Sequence, residues 1–95
     1  MFLIDLTYKK PLSEVDKFMD EHVAFLDKYY ELGKFIFSGR KNPRTGGIIL
    51  VQHVDGEEIK KIIAEDPFNK NDIAHYHVQE FFPTKYAKAF ASFVR

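Results

Sequence analysis

The sequence contains no cysteine, and that absence removes disulfide bridges, thiolate nucleophiles and cysteine-ligated zinc together. It lacks tryptophan, and its 5 glycines and 4 prolines among 95 residues are too few for a linker or a low-complexity tract. Neither charge is in excess. The 14 basic and 14 acidic residues cancel, so the electrostatic footprint of a DNA- or RNA-binding domain is missing. No basic amphipathic stretch favours an anionic membrane surface, and no apolar run reaches the roughly 18 residues of a membrane span. The opening Met1–Leu6 stretch is interrupted by Asp5 and has no basic flank, unlike a secretory signal. The expectation is a soluble cytoplasmic protein that engages neither nucleic acid nor membrane.

Apolar residues are plentiful. Hydrophobic residues make up 45% of the chain, and phenylalanine, with 10 copies, dominates the aromatics. That suits a packed core, and the length suits a single domain over 1–95. Phe2, Ile4, Leu6 and Tyr8 alternate with Leu3, Asp5 and Thr7, the period of a strand with one apolar face. After Pro11, Ser13 is placed to cap a helix running to about Leu32, with Gly33 at its C-terminal cap. Lys34–Ser38 reads as a second strand, Gly39–Gly47 as a loop, and Ile48–Val54 as a third strand buried on both faces. Asp55-Gly56 marks a turn, and Asp55 is placed to cap a helix over Glu57–Glu65 that Pro67 ends. Ile73–Phe82 is the fourth strand, with Tyr76 and Val78 on one face and His75 and His77 on the other. Tyr86, Phe90 and Phe93 predict a packed final helix over about 84–94.

The fold class is therefore α+β. The order β-α-β-β-α-β with an added C-terminal helix is that of the split βαβ, or ferredoxin-like, arrangement. Both helices then cover one face of an antiparallel sheet, and the other face invites a second copy of the chain.

His22 lies on the apolar stripe of the first helix, among Val15, Phe18, Phe25, Leu26 and Tyr29. A buried imidazole must find a partner, because an unpaired buried polar group is costly. Two readings stand: a core histidine bonded to a backbone carbonyl, which is the commoner case, or a general acid/base oriented by a carboxylate. Asp66, in Asp66-Pro67-Phe68, offers that carboxylate, although Asp-Pro after a helix is also ordinary turn chemistry. Ser38-Gly39 and Gly46-Gly47 permit close approach of a ligand or of another backbone. Arg40, Lys41 and Arg44 form a basic cluster that either attracts an anion or is simply solvated. His75 and His77 share a strand face, but zinc needs more ligands than they supply, and no metal is expected.

Taken in order, His22 with Phe25-Leu26, Gly33, Ser38-Gly39, Gly46-Gly47, Asp66-Pro67-Phe68 and Phe81-Phe82-Pro83 resemble the YciI-like (YCII-related) family. The resemblance spans nearly the whole chain except the final helix. One departure is Arg40, where many members carry proline. The resemblance implies a ferredoxin-like fold paired as a dimeric α/β barrel, similar to muconolactone isomerase. It implies small enzymes with a histidine-aspartate pair, a related member being a dehydrochlorinase of a chlorinated hydroxyquinol.

On that basis His22 and Asp66 are the expected catalytic pair, with Ser38, Gly39 and Phe68 contacting a small organic substrate. The chemistry expected is that of an isomerase or of a lyase such as a dehydrochlorinase. Neither a dinucleotide loop nor a thiol is present, so no cofactor is expected. The alternative is a dimeric domain that binds a small ligand, or assists other proteins, without turning anything over.

Overall fold

The computed structural model describes residues 1–94. Its elements are β1 (Phe2–Tyr8), α1 (Leu12–Lys17), α2 (Met19–Glu31), β2 (Phe35–Arg40), β3 (Gly46–Val51), α3 (Gly56–Glu65), α4 (Pro67–Lys70) and β4 (Ala74–Glu80), followed by a 3₁₀ segment at Lys88–Phe93. The four strands form one antiparallel sheet in the order β2-β3-β1-β4. This is an α+β architecture compatible with the ferredoxin-like arrangement.

The register fixes which side chains share a face, because directly paired residues point the same way. Phe2, Ile4 and Leu6 of β1 pair with Val51, Ile49 and Gly47 of β3, while Ile4 and Leu6 also pair with Val78 and Tyr76 of β4. The β1 residues, Ile49 and Val51 join Val15, Phe25, Tyr29, Ile59, Ile62 and Phe68 in one buried cluster. The core thus lies between this sheet face and the helices. Removing side chains of this size from water stabilises by about 1.5–3 kcal/mol each. On the other face, Phe37, Leu50 and Leu3 form a row across β2, β3 and β1, and His75 and His77 of β4 stand exposed.

The local signals at Asp55 and Gly33 act as expected. Asp55 Oδ1 accepts from Glu58 N at 2.8 Å, and Gly33 follows α2 with φ of 74°, the left-handed conformation glycine adopts at little cost.

The expected first helix is broken at Phe18 (φ −111°, ψ 6°), which divides α1 from α2. Its start is Leu12 rather than beyond Ser13, and Pro11 O accepts from Glu14 N and Val15 N. Apolar positions on both sides of the break point into one core, so periodicity does not reveal it. The expected loop at Gly39–Gly47 is shorter, 41–45, because both of its ends belong to strands: Gly39 and Arg40 pair with Ile48 and Gly47. Glycine here serves close approach. A Cβ on Gly46 would lie 1.9 Å from the backbone oxygen of Leu6. The third strand correspondingly ends at Val51, and His53 takes a positive φ of 58°.

The packed final helix over 84–94 is not formed. Only the short 3₁₀ segment is present, without a buried residue, and Tyr86 is exposed. Phe90 and Phe93 meet each other, with ring centroids 5.2 Å apart, instead of entering the core. A helix this short has little stability of its own unless its apolar stripe is covered.

Helix α2 is also tied to the end of α3. Lys28 Nζ and Tyr29 Oη both donate to the Glu65 carboxylate, at 2.7 and 2.8 Å. The Lys28 hydrogen bond, and after it that of Tyr29, holds the Glu65 carboxyl below its ordinary value. A carboxyl whose folded value is depressed adds stability that is present above its unfolded value, about 4.3, and is lost as pH falls through the folded one. Glu65→Gln is therefore expected to lower stability at neutral pH and to flatten its acid limb below about pH 4.3. Denaturant midpoints measured from pH 7 down to pH 3 check this. A parallel fall in variant and wild type would exclude it.

Candidate active site

Asp66 has no solvent exposure. It is both the residue that ends α3 and the N-cap of α4, a four-residue helix opened by Pro67. Proline suits that first helical position because its missing N–H would have no partner there. As cap, Asp66 Oδ1 accepts from Phe68 N at 3.0 Å. The same oxygen lies 2.8 Å from His22 Nδ1. Oδ2 accepts from Tyr76 Oη at 2.5 Å. Three elements, α2, α4 and β4, thus aim donors at one buried carboxylate, and such charge-assisted bonds are stronger than neutral ones.

The tautomer of His22 follows from this geometry. Oδ1 already accepts the Phe68 N–H, so the His22 contact is an Nδ1–H donating to an acceptor oxygen. In the neutral imidazole, Nε2 is then the ring nitrogen carrying the lone pair. Burial pushes the Tyr76 phenol well above its ordinary value, and the adjacent Asp66 charge and hydrogen bond push it further. Tyr76 consequently remains a proton donor to Asp66 across the physiological range.

Behind the imidazole lies Phe68. Its ring stacks on that of His22, with centroids 4.1 Å apart and planes 6° from parallel. Phe68 is almost wholly buried, 1% exposed, and also meets Tyr8 in a T-shaped contact with centroids 5.9 Å apart. Phe68, expected to touch substrate, is not among the residues lining the cavity beside His22. The helical turn opened by Pro67 directs it into the core, where it sets the plane of the His22 ring instead of lining the cavity.

In front of the imidazole is a cavity of about 170 Å³. Helix α2 contributes Met19, His22, Val23 and Leu26, and the sheet contributes Leu6, Ile48 and Ile49. Ser38, Gly39, Arg40 and Gly47 complete it. Ser38 and Gly39 therefore lie beside His22, although mid-strand rather than at a strand exit. The Ser38 hydroxyl is held by Tyr30 Oη at 2.7 Å.

Tyr76 and Tyr30 were not anticipated in these roles. Tyr76 was legible as a core-facing strand residue, and a phenol in a core needs a partner. Tyr30 lies on an exposed stretch of α2 and carried no such signal. With Nδ1 engaged by Asp66, Nε2 is the nitrogen left to face the cavity. The arrangement can accept a proton from a bound molecule and return one to it.

Fold and site together define a small α+β protein with a carboxylate-oriented histidine at the wall of a mainly apolar cavity. The sequence matches the YCII-related domain over residues 1–82, and the chain belongs to that family. No curated protein matches it in sequence. Among solved structures it is similar to 5-chloro-2-hydroxyhydroquinone dehydrochlorinase from Burkholderia phenoliruptrix, determined with 2,5-dihydroxybenzoquinone bound. The TM-score is 0.73 at 18% identity, covering 94% of this chain and 98% of that one. At that identity the likeness is one of fold. No helix among the described residues is long and apolar enough to cross a membrane.

Proposed function

We propose that this protein is an enzyme of general acid–base type acting on a small organic molecule. The observation that carries this reading is the His22 imidazole, fixed by Asp66 at Nδ1 and set by Phe68 in plane, with Nε2 left for a cavity. A cavity of about 150 Å³ accepts a benzene ring, so the space beside His22 suits a single-ring compound. Nε2 would take a proton from the substrate. Returning it to another atom completes an isomerisation. Expulsion of chloride as the proton leaves completes a dehydrochlorination, with the C–H electrons forming the new π bond and the C–Cl electrons departing with chloride. The Ser38 hydroxyl, positioned by Tyr30, would hold a substrate oxygen in either case. The fold shared with a dehydrochlorinase supports the second form by analogy.

The test is turnover of a panel of lactones, enols and halogenated phenols by the wild type, with His22→Ala as the comparison. Loss of consumption in the variant, with the fold intact, is the expected outcome. Saturable binding that leaves every compound unchanged would favour a binding module. One observation gives that second reading weight: besides Arg40, His22 is the one ionisable side chain among the described residues lining the cavity.

We further propose that the chain works as a homodimer paired through its open sheet face. Phe37 is paired with Leu50 and Leu50 with Leu3, which makes an apolar row across three strands, and Phe37 remains 50% exposed in the single chain. Phe37→Glu would bury a carboxylate at such an interface. It is expected to weaken the dimer by at least about 100-fold, a few kcal/mol, read by sedimentation velocity across a concentration series. A wild-type protein that sediments as a monomer throughout would end this proposal.

A further inference from the structure

Across the helix-facing side of the sheet, Arg40, Gly47 and Leu6 form one row on β2, β3 and β1, and Ser38, Ile49 and Ile4 form the next. Gly47 has no side chain, so the first row leaves a gap between Arg40 and Leu6. That gap is part of the floor of the cavity beside His22, and all three residues line it. The glycine thus gives a ligand in the cavity access to a guanidinium two strands from Leu6.

The neighbouring loop cations are already neutralised. Lys41 pairs with Asp5 at 2.5 Å and Arg44 with Asp16 at 2.7 Å. Arg40 enters no ion pair among the described residues. Among the described residues, the walls around it offer no carboxylate, only apolar side chains, the Ser38 hydroxyl and the His22 ring. A cation without a counter-ion, at the edge of an apolar cavity with room for a single ring, is complementary to a small organic anion. Its planar fork of donors matches a carboxylate or enolate.

We infer that Arg40 is the specificity-determining residue of this cavity and that the ligand is a single-ring or similarly small organic monoanion. The anionic head meets the Arg40 guanidinium and the Ser38 hydroxyl. The apolar body lies against Leu6, Val23 and Leu26, which brings the proton-exchanging atom to His22. This assignment rests on the proton-transfer reading of His22 for the reaction, but not for the binding of the anion.

Benzoate and its neutral isostere benzamide test it, with binding followed by the ring ¹⁵N resonances of the histidines. The chain has 4 histidines, and His22 alone is buried, so the cavity has its own reporter. Benzoate is expected to bind saturably and to move the His22 signals, with benzamide at least about tenfold weaker. Arg40→Gln should remove that preference, and Arg40→Lys should keep part of it, the charge without the fork. Arg44→Gln should change nothing.

Equal binding of the two probes, undiminished benzoate binding in Arg40→Gln, or no saturable benzoate binding would each overturn the assignment and identify Arg40 as a solvated edge-strand cation. His22→Ala, which lacks the reporter ring and is followed by titration calorimetry instead, separates the two proposals. It should retain the benzoate preference even if the acid–base reading fails, whereas an Arg40→Gln result identical to wild type removes only the anion site.

Discussion

Asp66→Ala is expected to destabilise the protein by about 3–5 kcal/mol. The loss follows from what the carboxylate holds. Removing it leaves His22 Nδ1–H, the Phe68 amide and the Tyr76 hydroxyl without their acceptor. Each orphaned buried donor costs about 1–3 kcal/mol, although the three are not additive because they share one site. Against a total stability of about 5–15 kcal/mol, this is a large fraction. Chemical denaturation of the variant and wild type measures it directly.

Asp66→Asn is the finer probe. It preserves shape but turns one acceptor oxygen into an NH₂ facing donors. The ring ¹⁵N shifts of His22 should report a single Nδ1–H tautomer in the wild type and a mixed or altered one in Asp66→Asn. An unchanged imidazole spectrum would mean that the hydrogen bond does not orient the ring. A loss of stability in Asp66→Ala smaller than about 1 kcal/mol would mean that the three donors find other partners.

His22→Ala should carry the largest effect on activity. A positioned general acid or base contributes roughly 10²- to 10⁴-fold to rate, and among the described residues no other side chain at the cavity wall is placed to take over the proton. Turnover of any compound consumed by the wild type should fall by that factor. The fold should survive, because the core around Ile4, Val51 and Ile62 does not depend on the imidazole. Truncation does remove the ring stacked on Phe68, so some loss of stability accompanies it. Circular dichroism together with initial rates separates the two effects. A variant that keeps its structure and a rate within about tenfold of wild type would remove His22 from the chemistry, since that is less than the least a positioned acid or base supplies.

The two variants also differ in kind. Asp66 acts through His22 and through the backbone of α4, so its loss should lower stability and rate together. Because its role is to position, Asp66→Asn should recover more stability than activity.

The resemblance through Ser38-Gly39 and Asp66-Pro67-Phe68 brought His22 and Asp66 together before any geometry. Composition and period alone left the backbone-carbonyl contact as the commoner explanation of His22. Phe68 shows the limit of that reasoning. Belonging to the same tripeptide as Asp66 put it near the site, but on which side of the imidazole it lies depends on how the α4 turn rotates, and no spacing rule encodes that. The final helix failed for a different reason. An aromatic stripe at helical period signals a surface to be covered, and here no neighbouring element covers it.

The order of strands and helices, the Asp55 cap, the glycine after α2 and the apolar face of β1 were determined by chemistry within a few residues of chain. Backbone conformation, capping and side-chain period act at that range, so they can be read from neighbours alone. Three-dimensional packing decided the rest. It joined His22 to Asp66 across 44 positions, added Tyr76 as a third donor, drew Gly46 against the backbone of β1 and placed Arg40 beside the cavity. Those outcomes depend on which faces meet and in what register, a property of distant segments held together by burial.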